Sequence, residues 1–255
     1  MPDDARRREL EYHEALYSGC AQDHFARPAV RVFRLHLVKR ILQRTGLAKT
    51  ARVLSLGCGL GDLELLLAPS VAHLSGVDFS PAAVRQARQD TARAGLVNAE
   101  FVEGDLETVR FPAASFDAVL AIFLLHHLSD DQLERLAASV QTWLAPGGVF
   151  YSLDPSRRRL SGALGRLLVP NLLRKYQTPD ERELEPATIQ ALFAAQGFQT
   201  QVHMYDFLST PLAGLFPGAH WLYRAARLLD EALVRAPLLS RWGSNFELLA
   251  RRAGR

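Results

Sequence analysis

Short apolar runs alternate with amphipathic stretches along most of this chain, and that alternation predicts a parallel sheet with crossover helices. Before residue 50 the pattern is helical. Tyr12, Leu16 and Tyr17 fall on one face, and Val30, Phe33, Leu37, Ile41 and Leu42 form a second stripe that stops near Gly46. A first strand is expected over Arg52 to Leu56, followed by a glycine-rich turn and a helix starting near Asp62. A second strand ends at Val77-Asp78. Ser80-Pro81 then supplies an N-cap and a proline at the first helical position, opening a helix to about Ala94. A third strand is expected near Phe101-Val102 and a fourth over Phe116 to Ile122, whose apolar continuity marks a strand buried on both faces. A helix over about Asp131 to Trp143 leads to Pro146-Gly147-Gly148, which turns the chain into a fifth strand, Val149 to Leu153.

Beyond this point the pattern is less regular. Pro186 to Gln196 reads as a helix stopped by Gly197, Phe198 to Phe207 as a sixth strand and Phe246 to Arg251 as a last one. Between those two strands lies a stretch rich in Leu, Phe, Trp and Tyr, Leu208 to Trp242, too long for a hairpin turn. It is expected to contain a helix over about Ala219 to Arg235. With no internal repeat and no low-complexity linker, residues 1–255 read as a single domain. It divides into an N-terminal helical cap (1–50), a core (51–155) and later elements (156–255) that include the insert 208–242.

Composition narrows the classes without choosing among them. A chain of 255 residues, 48% hydrophobic and 22% charged, is long enough to bury a substantial core. The net charge is only +3, almost all of the positive charge is arginine, and no dense basic run is interleaved with aromatics, so no nucleic-acid partner is expected. Arg157-Arg158-Arg159 reads as a solvated loop. The two cysteines, Cys20 and Cys58, make no disulfide framework and fit a reducing cytoplasm, and the charged start MPDDARRREL lacks the apolar segment of a secretory signal. No apolar run approaches the roughly 20 residues needed to span a bilayer.

The candidate chemistry begins at Leu56-Gly57-Cys58-Gly59-Leu60-Gly61. A glycine-rich turn from strand to helix lets the backbone approach a ligand closely, and the helix start offers free N–H groups to a pyrophosphate or to an amino-acid carboxylate. A dinucleotide fingerprint is Gly-x-Gly-x-x-Gly, and here the third glycine arrives one residue early. Asp78 ends the next strand, 21 residues after Gly57, where a carboxylate can accept hydrogen bonds from a ribose diol. Asp105, in Glu103-Gly104-Asp105-Leu106, can accept from an adenine amino group while Leu106 offers its backbone N–H. A second acid of this kind is not part of the dinucleotide fingerprint and shifts the reading away from NAD.

The ordered set VLSLGCGLGDLE, GVDFSPAAV, FVEGDLETV, SFDAVLAIFLLHHLSD and LAPGGVFYSLDP resembles the class I methyltransferases that use S-adenosylmethionine (SAM), and within them the ubiquinone-biosynthesis-like, small-molecule subgroup. The resemblance covers residues 50 to 155 strongly and the helix and strand around Gly197-Phe198 more weakly. It implies an α/β, Rossmann-like fold: a seven-stranded, mostly parallel sheet of order 3-2-1-4-5-7-6, its last-numbered strand antiparallel, with helices on both faces. It also implies cofactor contacts. Gly57, Cys58, Gly59 and Gly61 belong to the loop against the methionine part, Asp78 holds the ribose, Phe79 flanks the adenine, Asp105 and Leu106 read its edge, and Ile122 faces the methionine end through its backbone. The product is S-adenosylhomocysteine, and no metal is expected.

Methyl transfer from a sulfonium is an in-line displacement that needs alignment, and a base only where the acceptor must lose a proton. His126 and His127 follow the fourth strand at the carboxyl edge, where ligands bind in open α/β sheets, and Asp154 follows the fifth strand on the same edge. These three are the catalytic candidates, with capping or packing of the next helix as the competing explanation for one histidine. Tyr12, His13 and Tyr17 can close over the cofactor, and Phe216 and Trp221 of the insert are lid candidates over an acceptor pocket; core packing or contact with a membrane or partner are the alternatives for the insert. The expected activity is transfer of methyl to an O or N atom of a small, apolar metabolite: a natural product, a quinone or phenol, or a lipid-like acceptor. An NAD-dependent oxidoreductase and a non-catalytic SAM-binding scaffold are the competing readings. The oligomeric state is not legible.

Overall fold

The structure is a computed structural model that describes residues 7, 8, 10, 11, 14, 26–159, 182–236 and 239–254. Tyr12, His13 and Tyr17, named above as candidates to cover the cofactor, lie outside the described residues. Helix α1 (Pro28–Thr45) is followed by β1 (Arg52–Leu56), α2 (Asp62–Leu67), β2 (His73–Asp78), α3 (Pro81–Arg93), β3 (Ala99–Glu103), β4 (Phe116–Ile122), α4 (Asp130–Trp143) and β5 (Leu144–Pro155). Then come α5 (Pro186–Ala195), β6 (Phe198–Asp206), α6 (Ser209–Leu215), α7 (His220–Leu233) and β7 (Asn245–Arg252). The seven strands form one sheet in the order β3-β2-β1-β4-β5-β7-β6, and β7 runs antiparallel to both of its neighbours, as the resemblance implied.

The two faces of the sheet explain the apolar runs. Along β4, Val119 and Ala121 face one side and Ala118 and Leu120 the other, and all four are fully buried. The first side packs against Leu133, Leu136, Val140 and Trp143 of α4 and Ile189 and Phe193 of α5. The second packs against Phe33, Leu37 and Ile41 of α1, Leu63 and Leu67 of α2 and Tyr223 of α7. Burying a Leu, Ile or Phe side chain contributes about 1.5–3 kcal/mol, so a strand covered on both faces is held by most of its side chains.

Local signals set the boundaries. The Ser80 hydroxyl accepts from the Ala83 N–H at 3.1 Å to start α3. Ser129 and Gln132 form a reciprocal capping box at the start of α4. Gly46, at φ +71°, ends α1 by donating to the Leu42 carbonyl.

Two boundaries differ from the sequence reading. The fifth strand begins at Leu144, which pairs with Phe116, and Pro146-Gly147-Gly148 forms an irregularity inside the ladder before Ala118 pairs with Val149. The turn chemistry is real, with Gly147 at φ +78°, but pairing exists on both sides of it. Among its described residues the insert contains two α-helices where one was expected. The additional one, α6, has only seven residues and includes Pro211 and Gly214, too short for a periodic signal. Its start is held from a distance: the Asp230 carboxylate on α7 accepts the backbone N–H groups of Phe207, Leu208 and Ser209 at 2.9–3.0 Å.

Candidate active site

The carboxyl ends of β1, β2 and β4 surround two adjoining cavities. In the loop after β1, Gly57, Gly59 and Gly61 have φ of +63°, +53° and +73°. A Cβ on Gly57 would meet Leu124 at 2.8 Å, and one on Gly61 would meet the Phe101 ring at 2.9 Å, so glycine is required at both for conformation and for space. Cys58 between them is buried, and its backbone N–H donates to the Val77 carbonyl.

Asp78 ties this loop to the next helix. Its Oδ2 accepts from the Gly59 N–H at 2.8 Å and its Oδ1 from the Ser80 N–H at 3.0 Å. Asp78 also borders the larger cavity. That cavity, about 370 Å³, is also lined by Phe79, Asp105 and Leu106. Asp105 is half-buried and its Oδ1 accepts from the Glu107 N–H at 2.7 Å, which fixes the turn that presents it. The smaller cavity, about 250 Å³, is lined by Cys58, Gly59, Glu64 and Ile122 among others. The structure therefore gathers the predicted cofactor residues other than Gly61 around two adjoining spaces, with Gly57, Phe123 and His127 bordering both.

The three catalytic candidates also meet. His126 and His127 sit in a single 3-10 turn, Leu125–His127, between β4 and α4. His126 Nδ1 lies 3.0 Å from Asp154 Oδ1, and the His126 backbone N–H donates to the same oxygen at 3.3 Å. The two imidazole rings lie 4.1 Å apart between centroids, tilted by 39° to each other. Asp154, near the end of β5, is fully buried, and burial pushes its carboxyl up to about 8, against the hydrogen bonds it accepts from the turn. Capping does not explain either histidine, because Ser129 caps α4.

Several residues at this edge carried no legible signal. Glu64 on α2 is buried, accepts from the Ser55 hydroxyl at 2.6 Å, and is pushed up to about 7 by burial, while its Oε2 has no hydrogen-bond partner. Phe123 has φ +54°, a conformation rare outside glycine, at the point where both cavities meet. Glu14 accepts from the Ser80 hydroxyl at 2.5 Å and the Ala82 N–H at 3.0 Å, which places its carboxylate at the start of α3 beside Asp78. The signal for Glu14 was its acidity opposite a helix start, invisible without knowing what folds against it. The lid candidates do not join the site. Phe216, at the end of α6, and Trp221, in the first turn of α7, are exposed and line neither cavity.

The chain is similar to known proteins. Residues 53–148 match a family model described as a methyltransferase domain. A demethylmenaquinone methyltransferase of Thermus thermophilus is 31% identical over 186 residues, 66% of this chain and 81% of that one. A demethylmenaquinone methyltransferase of Listeria monocytogenes is 28% identical over 135 residues, and there the match spans 56% of the relative's length. Among solved structures, the DhpI–SAH complex superposes with a TM-score of 0.61 at 20% identity, covering 98% of this chain and 97% of that one. An S-adenosylmethionine dependent methyltransferase from Mesorhizobium loti gives a TM-score of 0.58 at 21% identity, covering 84% of this chain and 98% of that one.

Proposed function

We propose that this chain, which belongs to the class I SAM-dependent methyltransferases, methylates an O or N atom of a small, apolar acceptor, with His126 and His127 at the acceptor and Asp154 holding His126 in place. The cofactor class is SAM, and the residues at the sheet edge suit it. The two cavities meet at Gly57, Phe123 and His127, in keeping with a ligand whose nucleoside half lies by Asp78 and Asp105 and whose amino-acid half lies by the glycine loop. Added Cβ atoms at Gly57 and Gly61 would crowd that loop. When bound, SAM supplies a methyl group on a positively charged sulfur, already activated for in-line attack.

The observation that carries the acceptor chemistry is the position of His127 at the junction of the two cavities, its ring against that of a histidine itself tied to a buried acid. An imidazole there takes the proton that an acceptor hydroxyl or amine must lose. Asp154 fixes the ring orientation of His126, and His126 supports His127 through their tilted ring contact. The relatives named demethylmenaquinone methyltransferase favour a quinone or phenol among the acceptors considered. Among the described residues no helix is long and apolar enough to cross a membrane. A cytoplasmic place, read from cysteine usage, belongs to this proposal.

The test separates binding from chemistry. His126→Ala and His127→Ala are expected to keep SAM affinity by calorimetry while methyl transfer falls by about 10²–10⁴-fold in at least one of them. Unchanged rates in both, with the chemical step shown to be rate-limiting, would remove the base reading. Mass spectrometry of extracts incubated with the enzyme and isotopically labelled SAM identifies the acceptor. A label found on carbon overturns the O or N assignment, and a label on a charged, sugar-like compound overturns the apolar one.

A further inference from the structure

Helix α7 is built inside out. Its inward face carries Tyr223 and Ala226 but also Arg227 and Asp230, all buried. Asp230 accepts the three backbone N–H groups that open α6, and Arg227 donates to the Tyr205 carbonyl at 2.8 Å with its guanidinium over the Tyr205 ring. Its outward face carries Trp221, Ala225, Leu228 and Ala232, spaced three to four residues apart on one stripe, with Leu229 at its margin. Trp221 is 67% exposed, Leu228 72% and Leu229 58%. Among the described residues, every exposed large apolar side chain except Leu35, Val97 and Val102 falls between Leu208 and Trp242. Such a concentration marks a contact surface rather than scattered surface hydrophobes.

Position and charge identify the contact. β6 runs parallel to β5, since both are antiparallel to β7, so the α6–α7 insert leaves the sheet at the same carboxyl edge as the cavities. Phe33 links them: its ring lies 6.2 Å from Tyr223 of α7 and 6.3 Å from Phe123 at the junction of the cavities. Arg224 and Arg235 are exposed along one margin of the apolar stripe, and Arg241 is exposed near the end of the insert, against a single exposed acid on α7, Glu231. An apolar stripe with a tryptophan, bordered by long cationic side chains able to reach outward, is the pattern of a helix lying at a lipid–water interface.

We propose that the outward face of α7 docks on the surface of an anionic lipid bilayer, so that the substrate edge of the sheet faces the membrane. The proposal goes beyond the acceptor reading and does not require it, although an apolar acceptor dissolved in lipid would then lie close to the site.

Sedimentation with vesicles tests it, using the full chain with vesicles of phosphatidylcholine alone and of phosphatidylcholine mixed with phosphatidylglycerol. The wild type is expected to sediment with the mixed vesicles, and at least tenfold less with the neutral ones or after addition of salt. The exposed pair Trp221→Glu with Leu228→Glu is expected to lose at least tenfold in vesicle binding while keeping SAM affinity by calorimetry. Absence of binding to the mixed vesicles, or equal binding by that double variant, would overturn the proposal. So would light scattering that shows a stable dimer broken by the same double variant, which would assign the face to a second copy of the chain. Failure here leaves the acceptor reading intact, because that reading rests on the labelled product and not on vesicles.

Discussion

Helices α4 and α7 have the same length, fourteen residues each, and opposite sidedness. α4 turns Leu133, Leu136, Val140 and Trp143 into the core and closes its own first turn with the Ser129–Gln132 box. α7 turns Arg227 and Asp230 inward, spends a carboxylate on the start of another helix, and leaves Trp221, Leu228 and Leu229 outside. The first is an element whose position follows from its own sequence. The second is positioned by polar contacts with β6 and α6, which frees its apolar face for something other than the core. The largest expected consequence is in stability. Leu133→Ala is expected to cost about 2–5 kcal/mol by chemical denaturation, and Leu228→Ala to stay within about 0.5 kcal/mol of the wild type. Comparable losses in both would mean that the outer face of α7 is covered within the fold, and the contrast would collapse.

The same contrast explains what the sequence revealed. The glycine loop, Asp78 and Asp105 were legible because each depends on local spacing: a strand, a turn that only glycine fits, then a helix start; the strand order came only from the family resemblance those motifs carry. The stretch Phe116 to Ile122 was legible because burial on both faces leaves an uninterrupted apolar run. Asp154 was placed on the right edge, but its contact with His126 joins residues 28 positions apart, and no spacing rule encodes that bond. Glu64 escaped notice because an acid in the first turn of a helix beside a glycine loop reads as a solvated one. In α7, Trp221 read as a lid for the natural reason that large aromatics seek burial. Arg227 and Asp230 took the inward positions instead, since their hydrogen bonds to backbone are satisfied there.

A second test addresses those inward polar residues. Asp230→Ala leaves three backbone donors of the α6 start without their acceptor and is expected to cost about 1.5–3 kcal/mol. The loss is expected to be regional. Amide exchange at Phe207, Leu208 and Ser209 is expected to accelerate far more than exchange in β1, β4 or α4, and SAM affinity is expected to hold. A uniform acceleration across the sheet would show that the insert and the core unfold as one unit, against the division drawn from the two helices.

The smallest effect, taken per pH unit, concerns buried acids and separates the two regions by pH. Where an acid serves only the fold, its partners are complete: burial works against ionisation of Glu247, yet Arg40 and Arg44, with contacts at 2.6–3.0 Å, hold its carboxyl below the usual range. Glu64, on the cavity side, has one oxygen on Ser55 and the other without a partner, and burial pushes it up to about 7. An acid whose folded value is raised binds a proton that the unfolded chain has released. Its contribution to stability is complete below about 4.5 and is lost as pH rises through about 7, with a slope of at most about 1.4 kcal/mol per pH unit. Asp154, pushed up to about 8, adds a fall of the same sign over a wider window. Glu64→Gln cannot titrate, so denaturation midpoints measured between pH 5 and pH 8 are expected to fall less steeply in this variant than in the wild type. Parallel slopes in the two proteins would mean that Glu64 is ionised in the fold throughout, and that an unpartnered oxygen at the cavity edge is no sign of a carboxyl kept neutral for a ligand.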